Sequence, residues 1–531
     1  DINVLNEYCS TKQINNPVFK PPDDFIYGRK PCDRKGIIRK ILNYGEIKLK
    51  KFYLVIIHVM VLLLIAIPLF FVSGCGSNKV SGESQSEPTL RSIIISPLLS
   101  NLGPLQNQQY TAYGYYSDGT IEDITNKSTW SCNNASAGVI TTTTGYFTAA
   151  NPSFIEVGEI TAILDSKLSN IARVFVIPSG TQSVSVGAGG YHSLAFKNDV
   201  SGLGWSWGRN GDGQLGVGDW VQRDAPAQVS SITTIIAISG GDLHSMALRN
   251  NGTVMTWGSN SEGQLGNGTT VDANTPQAPG LTGIIDVSAG MLHSMALRSD
   301  GTVWTWGDNY YGQLGDGTFI DSWVPKQISL DDIIAISAGG HHSMALMNDG
   351  TVWTWGDNYY GQLGNNSLVG SPTPVQVNIS NVIEISAGYF HSMALKNDGT
   401  VWVWGYNGHG QLGDGTTSQA LVPQQVPSLN NVSAISGGGG HSLFLINGTV
   451  WSCGWNNHGQ VGNNSTFDQD TPVQVWNIAD IISISAGYQH SLAVQNDGTT
   501  WSWGGNDYGQ LGNGNSGMGA DEYVPVSVNS F

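Results

Sequence analysis

Charge is scarce in this sequence, and basic charge is scarcest. Charged residues make up 12% of the 531 residues, with 23 Lys+Arg against 40 Asp+Glu. The imbalance is concentrated downstream. Residues 181–531 hold 7 Lys+Arg and 26 Asp+Glu, whereas residues 1–60 hold 11 and 6. A surface of that sign repels phosphate backbones, which excludes nucleic acid as an expected partner. Cysteine is nearly absent: Cys9, Cys32, Cys75, Cys132 and Cys453 form no CxxC pair. Neither a metal site nor a disulfide framework is expected from that spacing, and no cofactor is. Methionine is missing before Met60. Residues 1–47 therefore receive no function and are expected to be an upstream translation or a fragment of something else.

Glycine, by contrast, is abundant at 69 residues, alongside 17 Trp and 19 Tyr. That mixture suits an all-β protein with many tight turns, because glycine supplies the positive φ that turns need.

Residues 48–75 form an export segment. Lys48-Leu49-Lys50-Lys51 precedes an apolar run from Phe52 to Phe71, broken by His58 and Pro68, and Val72-Ser73-Gly74-Cys75 follows. A basic flank, an apolar core and a small-residue site make a signal peptide. The last four residues resemble the bacterial lipoprotein lipobox, which implies lipidation of Cys75. The alternative is a plain transmembrane anchor, since 20 apolar residues can span a bilayer. Either reading places the rest of the chain in the cell envelope, outside the cytoplasm. Residues 76–87 form a polar linker.

Residues 88–178 alternate in short runs, such as Ser92-Ile93-Ile94-Ile95 and Ala172-Arg173-Val174-Phe175-Val176, as a β-sandwich would. Tyr116-Ser117-Asp118-Gly119-Thr120-Ile121, Trp130 and Gly145-Tyr146-Phe147-Thr148-Ala149 together resemble the bacterial immunoglobulin-like group 2 domain. The resemblance implies a spacer or adhesive module, with Asp118-Gly119 a turn, Trp130 in the core and Cys132 a core thiol.

From residue 179 to 531 one pattern returns seven times. His-Ser occurs at His192, His244, His293, His342, His391, His441 and His490, in steps of 49 to 52 residues. Gly-Gln-Leu-Gly recurs with its glutamine at Gln214, Gln264, Gln313, Gln362, Gln411 and Gln510, and as Gly459-Gln460-Val461-Gly462 in the sixth repeat. A Trp-Gly step precedes each, except where Cys453 stands in the Trp place as an expected buried substitution.

One unit shows the build. Ile333–Gly339, His342–Leu346 and Thr351–Gly356 read as strands, Asn348-Asp349-Gly350 as a hairpin turn, and Thr373–Val377 as an outer strand where proline is tolerated. Four strands per ~50 residues, seven times over, predict a seven-bladed β-propeller. Val184–Ala188 opens the first unit with no clean outer strand before it. Val524–Val528 near the end is therefore expected to pair into the first blade and close the ring, removing exposed edges.

The repeat resembles the regulator of chromosome condensation family. That resemblance implies the propeller fold and leaves function open. The eukaryotic namesake exchanges guanine nucleotide on a nuclear GTPase and binds chromatin, and secreted bacterial relatives include an inhibitor that clamps β-lactamases. An export signal and an acidic propeller argue against the nuclear roles.

A residue present at the same place in every blade serves the blade. His and Ser are expected to hydrogen-bond neighbouring backbone groups, and Gln to do the same for the long loop. No lysine follows Gly-Gln-Leu-Gly, so a P-loop is excluded. Asp300, Asp349, Asp398 and Asp497 read as turn formers. Function should lie where units differ, on the face where the first-to-second and third-to-fourth connections emerge. Tyr310, Tyr311, His341, Tyr359, Tyr360, Tyr389, Phe390 and His409 are the candidate ligand-binding residues there. The expected function is a surface binding or adhesion protein with a protein or glycan partner, anchored to the membrane through lipid. The alternatives are a secreted propeller lyase or hydrolase, for which no constellation of acid, base and nucleophile stands out, and nucleotide exchange.

Overall fold

In the computed structural model, residues 88–531 are described, apart from 97–98, 103–106, 119, 151–155, 170–171, 177–183 and 198–200. The export segment and Cys75 lie outside the described residues, as do residues 1–47.

The described residues between 90 and 176 form strands joined by turns. Leu90–Ser96 pairs antiparallel with Thr111–Tyr116, which pairs with Ile121–Asp123. Glu156–Leu164 pairs with Thr129–Cys132 and Ala172–Val176, and Leu99–Leu102 runs parallel to the last of these. Alternation places Ile93, Tyr110, Trp130, Phe147 and Ile160 in one core. Trp130 is 1% exposed and its indole N–H donates to the Thr125 carbonyl at 2.9 Å. Gly145, at φ 65°, lets the backbone pass beneath that indole; an added Cβ would sit 2.6 Å from its ring. Cys132 packs at the margin of the core.

Seven four-stranded antiparallel sheets follow, each in simple sequential order. In blade 4 the strands are Ile333–Ala338, His342–Met347, Val352–Gly356 and Ser371–Gln376, running from the axis outward. The second strand is buried over His342–Leu346, whereas the outer strand is only half-buried and carries Pro372 and Pro374. Each bulge in the outer pairing falls before the Trp-Gly glycine, as between Thr354 and Gly356. The turn aspartates do what their position predicts: Asp349 Oδ1 accepts from both the amide and the hydroxyl of Thr351.

Ring closure differs from expectation. Blade 1 is complete from its own chain: Val184–Ala188, His192–Lys197, Gly204–Gly208 and Arg223–Gln228. The terminal strand, Glu522–Ser527, pairs with Thr500–Gly504 inside blade 7. Among the described residues no strand passes from one of these two blades to the other.

Side chains close the ring instead. Each blade's His Nε2 meets the Ser hydroxyl of the next blade at 2.8–2.9 Å: His192 with Ser245, His244 with Ser294, His293 with Ser343, His342 with Ser392, His391 with Ser442, His441 with Ser491, and finally His490 with Ser193. Each Ser hydroxyl donates in turn to the Gln carbonyl of the blade before it, as Ser193 does to Gln510 O at 2.8 Å. The same carbonyl accepts the Trp207 indole N–H at 2.9 Å. Serine thus bonds backbone as expected, while histidine bonds a side chain.

The tautomer follows. A hydroxyl has one proton, and a carbonyl can only accept, so that proton lies toward the Gln carbonyl. Each imidazole must therefore donate from Nε2–H, leaving Nδ1 as a bare lone pair with no hydrogen-bond partner. Burial holds these rings neutral. His192, His244, His342, His441 and His490 are pushed down to about 3, His391 to about 4, and His293 well below its ordinary value.

The last glycine of Gly-Gln-Leu-Gly completes the junction. Gly315, at φ 72°, would place a Cβ 2.7 Å from the Trp355 indole nitrogen of the next blade. In blade 6 Cys453 takes the indole's place, with Sγ 3.5 Å from the Gln411 carbonyl. It is fully buried, which pushes its thiol up.

Candidate binding face

Two connections per blade emerge on one face, and backbone bonds tie them together. The amide after each Trp-Gly step donates to the residue before the histidine, as Asp357 N does to His341 O and Tyr406 N to Phe390 O, at 2.9 and 2.8 Å. Side chains of both loops are thereby brought side by side.

The tyrosine pairs are held on rigid loops. Asp308 Oδ1 accepts the Tyr310 amide at 3.0 Å, and Asp308 Oδ2 accepts Gln313 Nε2 at 2.8 Å. Gln313 Oε1 accepts the Tyr311 amide at 2.9 Å. Asp357 and Gln362 repeat the device around Tyr359 and Tyr360. Gln therefore serves its own loop with the side chain and the next blade with its carbonyl.

The eight candidate residues share this face but not one environment. Tyr310 and Tyr359 are 68% and 70% exposed, each edge-on to its neighbour at 4.9 Å between ring centroids. Tyr311 rests against His341 at 4.8 Å. Tyr360 is half-buried between Tyr406 at 4.6 Å and Phe390 at 5.6 Å. His409 Nδ1 lies 2.8 Å from Asp468 Oδ2 and packs on Trp455. Tyr389 turns inward, and its hydroxyl donates to Asp242 Oδ1 at 3.0 Å.

Several members of the face escape a reading of the sequence. Tyr406, Trp455, Tyr488, Tyr191 and Tyr508 extend the aromatic contacts from blade 5 round to blade 1. Tyr508 sits at the loop position of Tyr311 and Tyr360, and Tyr488 at that of Tyr389, so the offset within the repeat could have found both. Farther out on the same third-to-fourth connections, Phe319, Ile320 and Val369 are 60%, 70% and 73% exposed, with Trp323 at 52%. Blades 3 and 4 thus present a broad apolar sector.

At the axis the first-to-second connections place Gly190, Asp242, Met291, Gly340, Tyr389, Gly439 and Tyr488 at one equivalent position. Asp242 is 7% exposed, and burial raises its carboxyl to about 6 against the pull of the Tyr389 hydrogen bond and Arg209. Below it lies a cavity of about 60 Å³ lined by Asp242, Tyr389 and the small residues of the inner strands.

Comparison with known proteins agrees with the propeller. The family model of the RCC1-like domain matches residues 235–531, and that of the regulator of chromosome condensation (RCC1) repeat matches residues 201–248. Among curated proteins, an RCC2 homolog of Danio rerio is 43% identical over 67 residues, 12% of this chain and 13% of that one. The probable E3 ubiquitin-protein ligase HERC3 of Homo sapiens is 38% identical over 79 residues, 14% of this chain and 7% of that one. The chain thus spans only a small fraction of the curated relatives it matches. Among solved structures, yeast RCC1 (Prp20) bound to Kap60 covers 66% of this chain and 84% of its own, with a TM-score of 0.57 and 22% identity. Human WBSCR16 covers 61% and 89%, with a TM-score of 0.54 and 26% identity. Seven sequential four-stranded blades and the matched family model lead to one conclusion: the chain belongs to the RCC1-like domain family.

Proposed function

We propose that this chain is a binding protein of the bacterial cell envelope, tethered through a lipid on Cys75, with an immunoglobulin-like spacer at 88–178 that carries the propeller. Its partner is an envelope protein or glycan. The observation that carries the reading is the exposed aromatic and apolar sector of blades 3 and 4, with Tyr310, Phe319, Ile320, Tyr359 and Val369 on the third-to-fourth connections and Trp323 near the start of the adjoining outer strand. Bare aromatics of that size are costly in water and offer apolar area plus a hydroxyl to a partner. Their loops are pinned by Asp308 and Asp357, so little is lost in ordering them on binding.

The test is binding of the detergent-solubilised full chain to defined cell-wall glycan fragments and purified envelope proteins. Changing Tyr359 and Tyr360 together to Ser should weaken the interaction by about 2 kcal/mol or more. Tyr359→Ser alone should leave the melting temperature in place. Binding that survives in the folded double variant moves the contact surface elsewhere. Labelled fatty acid should enter the wild type and not Cys75→Ala; equal labelling removes the lipid anchor.

A further inference from the structure

The axial end of this face carries a feature that apolar contact does not explain. Asp242 is a carboxylate nine-tenths buried, and among the described residues no lysine, arginine or histidine lies within salt-bridge distance of it. Arg209, the nearest basic group on the adjoining loop, is engaged with Asp212 at 3.1 Å and stacks on Tyr508. The Tyr389 hydroxyl donates to the carboxylate, reaching from blade 5 to blade 2. A buried charge is costly unless a partner of opposite sign reaches it.

Aromatic rings flank the same place. Tyr389 packs on Tyr488 at 4.9 Å, Tyr488 on Tyr191 at 5.6 Å, and Trp455 on Tyr488 at 5.8 Å. Ring faces attract cations, most strongly where water is excluded. Glycine at the equivalent positions 190, 340 and 439 lets these groups close in on the axis, since an added Cβ would collide with Asp242 Oδ1 at Gly190, with the Tyr389 carbonyl at Gly340 and with the Tyr488 ring at Gly439. An anion held among aromatic faces, above a small cavity, is the arrangement that receives an alkylammonium group.

We infer that the axial mouth, Asp242 with Tyr191, Tyr389 and Tyr488, is a cage for a primary ammonium group presented by the partner. The guest is a lysine side chain or an amino terminus, with its charge against Asp242 and its methylene stem against the tyrosine rings. This deepens the proposed binding face and rests on that reading for its partner, while the cage is measurable without one.

The experiment uses the full chain in non-ionic detergent, with n-butylammonium chloride as probe and n-butanol as its neutral counterpart. Ligand-observed saturation-transfer NMR is recorded at constant ionic strength. Wild type should give saturable binding of butylammonium, at least tenfold tighter than butanol. Asp242→Asn, which keeps an acceptor for Tyr389, should abolish that preference. Tyr488→Leu should weaken butylammonium severalfold. Equal binding of the two probes by wild type overturns the cage, and so does unchanged preference in folded Asp242→Asn. If Asp242→Asn does not fold, the wild-type comparison of the two probes decides alone. Butylammonium binding with no envelope partner found leaves the cage standing and removes the larger reading. A glycan or protein partner whose affinity is unaffected by butylammonium does the reverse.

Discussion

Phe444 and Cys453 of blade 6 are both fully buried in one core cluster shared with blade 5, and each departs from the repeat at a position the other compensates. Other blades place alanine opposite the strand where blade 6 has Phe444, and tryptophan where it has Cys453; in blade 4 the pair is Ala345 with Trp355. A large ring has moved from one strand to its neighbour while the volume stayed filled.

That exchange is testable as a double-mutant cycle. Phe444→Ala should leave a cavity costing about 3–5 kcal/mol. Cys453→Trp should overpack the site, at roughly 1–3 kcal/mol. Together they should recover most of the loss, since the double variant rebuilds the alanine-tryptophan pair and its indole bond to the Gln411 carbonyl. Additive losses in thermal unfolding would mean that the two positions do not share space.

The junction between blades 7 and 1 depends on Ser193. Ser193→Ala removes an acceptor for His490 and a donor to Gln510, leaving a buried imidazole N–H unpaired. Stability should fall by about 1–3 kcal/mol, with no change in secondary structure by circular dichroism. A variant as stable as wild type would show that the terminal packing of Val528 and Phe531 on blade 1 suffices for closure.

Acid should unfold the propeller sharply. Six of the buried imidazoles are depressed from 6.5 to about 3 or 4, and His293 lies well below 6.5. Their stabilising contribution is whole above pH 6.5 and is lost as pH falls toward the folded values, because the unfolded chain takes up protons first. At pH 5 each histidine withdraws about 2 kcal/mol. Near-ultraviolet circular dichroism should collapse cooperatively between about pH 5.5 and 4; a native spectrum at pH 3.5 would contradict the neutral buried rings.

Asp242 works in the opposite sense. Its folded carboxyl, raised from 3.8 to about 6, binds a proton more tightly than the unfolded one. Ionisation therefore penalises the fold, and the penalty grows as pH rises from about 4 to 6. Asp242→Asn should stabilise the protein at pH 7.5 by up to about 3 kcal/mol, and the gain should shrink below pH 6. Tyr389, Arg209, Tyr191 and Tyr488 face the group, and none supplies a paired charge. A destabilised Asp242→Asn at pH 7.5 would mean that the carboxylate is already compensated.

The propeller was legible because Trp, His-Ser and Gly-Gln-Leu-Gly recur at fixed offsets, and each turns out to be a junction part. The predicted strand Thr373–Val377 lies within two residues of the observed Ser371–Gln376. The mode of closure is not legible, because Arg223–Gln228, the outer strand of blade 1, is polar and half-exposed and so lacks the apolar signal of inner strands. Tyr310 and Tyr359 stood out as departures from neighbouring units. Asp242 did not, since its partner Tyr389 is 147 residues away and no period relates an acid to a tyrosine across the axis. Phe319 and Ile320 carry no such signal, because variable loop residues have no repeat of their own.

The absence of strand exchange makes the choice of chain ends arbitrary. Every blade is a contiguous stretch of sequence, and the seam at Ser193 uses the same bonds as the other six. The molecule can be regarded as a circle of interchangeable cassettes opened at one of seven equivalent gaps. A circular permutation of the propeller that links the Glu522–Ser527 strand to the Val184–Ala188 strand and reopens the ring between two other blades preserves every junction. Loss or duplication of a whole cassette changes the circumference without breaking a sheet, so a ring of this kind can change size by one complete blade at a time.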